Sequence, residues 1–112
     1  MNTSSQTLRV QGAPIRLLMQ LLTDRPDLPA VTYHIDSIIP SLLDIAVHRG
    51  QFAEFEAWRQ ALGLAVPEER SYGGDTWVAV SGLVQDVQVT LTGHGKTAEV
   101  AAYVAEHVAV AA

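Results

Sequence analysis

From residue 15 the apolar positions recur at helical spacing. Ile15, Leu18, Met19 and Leu22 form one stripe, and Leu17 and Leu21 widen it. Pro14 suits the first turn of such a helix, where its missing N–H has no partner to lose. Pro26 and Pro29 cannot continue the helix, so it is expected to stop near Thr23 and Asp24. A period of two follows. Val31, Tyr33 and Ile35 point one way and Thr32, His34 and Asp36 the other, the pattern of a half-buried strand. The stretch Ser37 to Ser41, with Pro40, reads as a loop. Leu43, Ile45 and Val47 then alternate with Asp44, Ala46 and His48 as a second strand, and a hairpin that sets Tyr33 opposite Ile45 would face His34 with Asp44.

The second half repeats this rhythm. Phe52, Phe55, Trp58 and Leu62 make the buried stripe of a helix, with Glu54, Glu56, Arg59 and Gln60 left for solvent. Gly63 stands where a left-handed C-terminal residue belongs. Val66 to Asp75, with Pro67 and the pair Gly73-Gly74, reads as a loop. Trp77 to Val84 is a third strand and Gln85-Asp86 a turn. Val87, Val89 and Leu91 alternate with Gln88, Thr90 and Thr92 as a fourth strand, broken by Gly93-His94-Gly95. A last helix is capped by Thr97 and carries Val100, Tyr103, Val104, His107 and Val108 on its apolar stripe.

These elements predict a single α+β domain over residues 13–112, in the order αββαββα, after a flexible lead-in over residues 1–12. The expected architecture is a four-stranded antiparallel sheet with the helices packed on one face. Residues 13–50 and 51–95 each read as helix, strand, strand and each ends in His and Gly, which suggests an αββ duplication. With the helices on one face, the face carrying Thr32, His34, Asp44, His48, Gln88 and Thr90 would look outward.

Composition narrows the function classes. At 112 residues the chain has the size of one domain with its own core. It holds no cysteine, which removes disulfides and thiolate metal sites. Twelve acids against seven basic residues give a net charge of −5, which speaks against a phosphate backbone as partner. No apolar run is long enough to span a bilayer, and Met1 to Val10 lacks the apolar core of a secretory signal, so a cytoplasmic protein that binds neither membrane nor nucleic acid is expected.

Three constellations carry possible chemistry. His34, Asp44, Asp36 and His48 would share one sheet face, yet no HxH or HxxxH spacing supports a metal site, and a cross-strand His–Asp pair explains them as well. Gly95-Lys96-Thr97 resembles the end of a phosphate loop in letters only, because the required first glycine is replaced by Thr90. Glu68, Glu69 and Asp75 in the central loop have no partner group placed beside them for acid–base work. Neither a metal nor an organic cofactor is therefore expected, and no catalytic residue. Trp58 belongs to the core by its spacing. Trp77 opens a strand, where it could anchor an interface, and Tyr72 sits in a loop that glycines allow to reshape. The alanines of the last helix permit close approach of a second helix, as in a homo-oligomer.

The segment Phe52-Ala53-Glu54-Phe55-Glu56-Ala57-Trp58-Arg59-Gln60-Ala61-Leu62-Gly63, between one hairpin and a Gly-rich loop leading to another, resembles a pattern found in small uncharacterised proteins of high-GC actinobacteria and their phages and plasmids. The resemblance covers mainly residues 28–95 and implies an accessory or mobile-element role, with no activity attached to a residue. The expectation is a non-enzymatic module that binds a protein partner or itself through His34, Asp44, His48, Tyr72, Trp77, Gln88 and Thr90. The alternative is a small-molecule-binding or minor enzymatic domain with a pocket between sheet and helices.

Overall fold

The computed structural model describes residues 7–73 and 75–111, with side chains as far as His107. Helix α1 (Gly12–Asp24) continues directly from a 3-10 turn at Leu8–Gln11, so the expected lead-in is helical over its last residues. Gln11 is tied to the body of the fold, its side-chain amide donating to the Ile35 carbonyl at 3.4 Å. Residues 1–6 lie outside the described part.

Strands β1 (Thr32–His34) and β2 (Leu42–Ala46) pair antiparallel, with Tyr33 opposite Ile45 and His34 opposite Asp44, the register expected from their alternation. Helix α2 (Phe52–Leu62) ends at Gly63, whose φ of 68° lets its N–H return to the carbonyls of Arg59 and Gln60. The chain then departs from the expected pattern. Glu68–Tyr72 is not a loop but a strand, β3, fully exposed along its length. It lacks the apolar alternation of a half-buried strand, and its conformation comes from antiparallel pairing with β4 (Asp75–Val84). Strand β5 (Val87–Gly95) follows a two-residue hairpin in which Gln85 and Asp86 both take positive φ, the left-handed pair that matches strand twist.

The sheet therefore has five strands in the order β1-β2-β5-β4-β3, and it is mixed rather than antiparallel, because β2 and β5 run parallel at its centre. Helix α2 carries the chain from β2 to the far edge, and β3, β4 and β5 return as a meander. The extra strand β3 breaks the simple αββ repeat. Leu43, Ile45, Val78, Val89 and Leu91 of the sheet share one core with Leu17 of α1, Phe55 and Trp58 of α2, and Val100 and Tyr103 of α3 (Thr97–Ala111), so all three helices cover the same face. Among the described residues no helix is long and apolar enough to cross a membrane.

Gly93 and Gly95 do not break the last strand, as their composition suggested. They lie within β5, paired with Val78 and Thr76 of β4, and α2 comes down on them. A Cβ at Gly93 would stand 3.0 Å from Phe55 Cδ2 and 3.3 Å from Val47 Cγ2, and one at Gly95 only 2.8 Å from Phe52 Cε2. Gly95→Ala, which would press on a Phe52 ring already stacked on Tyr103, is expected to cost about 1–3 kcal/mol by overpacking, read as a lower urea midpoint at unchanged slope.

Candidate functional site

The outward face of the sheet holds most of the residues singled out from the sequence. His34, Asp44 and Thr90 fall in one row across β1, β2 and β5, and Gln88 lies one row further, opposite Leu42 and Leu83. Trp77 sits two strand positions beyond Ala79, opposite Arg70 and against His94, with ring centroids 5.6 Å apart. Tyr72 is 84% exposed at the end of β3, in a strand and not in a reshaping loop.

These groups do not converge. His34 Nε2 lies 3.5 Å from Asp36 Oδ2 on its own side of the hairpin, and Thr90 Oγ1 is 3.2 Å from Ser81 Oγ. The Asp36 carboxyl is held below its ordinary range chiefly by the Ile38 N–H, 2.7 Å away, so Asp36 serves a local turn. His48 leaves this face altogether. Strand β2 ends at Ala46, and His48 Nδ1 meets Glu54 Oε1 of α2 at 3.2 Å. Among the described residues no three His, Asp or Glu side chains gather as metal ligands would. At the start of α3 the Glu99 carboxylate accepts from the Lys96 N–H at 2.8 Å, filling the place an anion would take.

A cleft of about 530 Å³ separates α2 from α3. Three polar groups of its lining, Glu56, Gln60 and Tyr103, are engaged with one another. Glu56 accepts from Arg59 Nε at 2.9 Å, from the Tyr103 hydroxyl at 2.7 Å and from Gln60 at 2.8 Å, while Arg59 also donates to the Leu64 carbonyl at 2.9 Å. The Arg59 guanidinium, helped by Tyr103 and Gln60, brings the Glu56 carboxyl down to about 2 against an opposing effect of burial. Burial first, then the Glu56 carboxylate, pushes the Tyr103 phenol up. Tyr103 also stacks on Phe52 at 5.4 Å and on His107 at 4.5 Å. No buried side-chain nitrogen or oxygen among the described residues lacks a partner. The cleft is a clamp between two helices.

A second, apolar concavity lies between α1, α2 and β1. A groove of about 300 Å³ is lined by Leu18, Met19 and Leu22 of α1, Leu28 of the following loop, Tyr33 of β1 and Trp58 of α2. The Trp58 indole N–H donates to the Pro29 carbonyl at 2.8 Å, and the Tyr33 ring stands edge-on to Trp58 at 6.0 Å, which fixes both aromatic walls. Met19 is 63%, Leu22 70% and Tyr33 45% exposed. Arg25 is the one charged residue in the lining. The sequence carried a signal for this site that went unread. Six large apolar residues crowd α1, but only Pro14 and Leu17 of the helix are buried. A stripe that wide exceeds what one sheet face can cover.

No family model, no curated protein and no solved structure matches the chain.

The Glu56 clamp makes a pH prediction. Its folded-state value near 2 lies below the ordinary 4.5, so its stabilisation is complete above about pH 5 and is lost as pH falls from there towards 2. Glu56→Gln is expected to lower the melting temperature at pH 7 and to flatten the acid limb of the stability curve. Tyr103→Phe should cost about 1 kcal/mol at pH 7 and leave most of that limb, because Arg59 remains. Thermal unfolding across pH checks both.

Proposed function

We propose that this chain is a non-enzymatic protein-interaction module of the cytoplasm, acting in an accessory or mobile-element setting, and that it binds its partner through the groove between α1, Tyr33 and Trp58. The observation that carries the reading is the exposure of Met19, Leu22 and Tyr33 around a single apolar concavity. Clustered apolar exposure of this kind favours docking, and the aromatic floor supplies a rigid anchor of the sort that dominates interface energies. The outward sheet face is a weaker candidate, because its His, Thr and Asp side chains pair locally and suit water. The α2–α3 cleft favours a small-molecule site less, since Glu56, Gln60 and the Tyr103 hydroxyl of its lining are spent on the clamp.

The decisive experiment compares capture from host lysate by tagged wild-type protein, by Met19→Asp/Leu22→Asp, and by His34→Ala/Asp44→Ala. The groove variant should melt within about 4 °C of wild type, since exposed substitutions cost little. It should nevertheless lose a stoichiometric partner at least about tenfold, equal to 1.4 kcal/mol of binding. The sheet-face variant should keep it. Loss of the partner from the sheet-face variant alone would move the site to the open face.

A further inference from the structure

The groove lies beside an unsatisfied edge of the sheet. Strand β1 is an outer strand with all three residues exposed, and among the described residues no backbone hydrogen bond joins Thr32–His34 to anything but β2. The opposite edge differs. Strand β3 presents Glu68, Glu69 and Arg70 in succession, the charged dress that blocks edge-to-edge pairing, whereas β1 carries Thr32, Tyr33 and His34. Tyr33 belongs to both features, being the central residue of β1 and part of the groove lining.

We infer that the groove's occupant is an extended segment of a partner protein that pairs with β1 as a sixth strand, places alternate apolar side chains against Tyr33, Met19 and Leu22, and sets one carboxylate against Arg25. This rests on the groove being the docking site. Side chains on one face of an added strand recur every ~7 Å, so two or three of them enter a groove of this size. The main chain supplies the hydrogen bonds that β1 lacks on its outer side, which a helical occupant cannot do. Charge decides the remaining position. Arg25 is the one charged group in the lining, and its present partner Asp27 is held at 3.4 Å with the carboxylate largely in water and the guanidinium side chain half exposed. Such a pair contributes little and yields readily to a carboxylate brought in by a bound chain.

The probe is a displayed library of random peptides about sixteen residues long, selected on the full chain and counter-selected on Met19→Asp/Leu22→Asp. Enriched peptides are expected to alternate apolar and polar residues around one Asp or Glu. A synthetic winner should slow amide exchange within Thr32–His34 at least about tenfold, as newly paired N–H groups do. N-methylation of its alternate amides should weaken binding at least about tenfold, or 1.4 kcal/mol. Arg25→Ala should remove its preference for Asp over Asn. Winners with apolar residues at i, i+3 and i+4, unchanged exchange in β1, tolerance of N-methylation at every amide, or no groove-dependent winner would each overturn strand addition. Dependence of the lysate partner on Met19 and Leu22 is measured separately, so the groove reading can survive when strand addition fails.

Discussion

The fold depends on how closely α2 approaches the sheet. Phe52 and Phe55 rest on Gly95 and Gly93, where a methyl group would collide at Gly95 and crowd at Gly93, and that contact brings the helix onto the C-terminal end of β5. Once α2 is seated, Tyr103 fits between Phe52 and His107 and reaches the Glu56 carboxylate, so α3 is fixed against α2 by stacking and by a charge-assisted hydrogen bond. Arg59 completes the arrangement by bonding both Glu56 and the Leu64 carbonyl just past the helix end. Each polar group in this half-buried clamp has a partner, which is the condition under which such a network stabilises rather than costs.

This seating leaves α1 with more apolar surface than the core can take. Helices α2 and α3 cover the central strands, and α1 contributes Pro14 and Leu17 to the interior. Its remaining leucines and Met19 form one wall of the groove, and Trp58, held by the Pro29 carbonyl, forms another. The same tryptophan thus closes the core on one side and lines the groove on the other. The proposed partner site is a consequence of core packing: a rigid aromatic wall and an overfilled helix meet beside the shorter, less charged edge of the sheet. On the opposite side of the sheet, by contrast, His34, Asp44 and Thr90 lie in one row without a shared target.

Much of the local structure could be read from residue spacing. The alternation over residues 31–36 and 43–48 placed Tyr33 opposite Ile45, the stripe from Phe52 to Leu62 placed Trp58 inside, and Gly63 marked the helix end. The candidate site was less legible. The width of the α1 stripe was visible, but an apolar residue on a helix looks the same whether a sheet or a partner covers it. His48 continued the alternation of its strand in letters and left it in space, because β2 ends at Ala46 and Glu54 of the next helix draws the imidazole across.

Sequence alone determined the three helices, the hairpin that pairs β1 with β2, the turn between β4 and β5, and the faces that β2 and β5 bury, since these follow from periods of 3.6 and 2 written in neighbouring side chains. Tertiary structure alone decided that Glu68–Tyr72 is a strand, that β2 and β5 run side by side in parallel, and that Gly93 and Gly95 stay within β5. It also decided where the surplus apolar surface of α1 opens. The reason is physical: pairing between distant strands uses backbone hydrogen bonds that every residue carries alike, and the close approach of a helix is set by the shape of both partners. Neither leaves a periodic mark in either segment taken by itself.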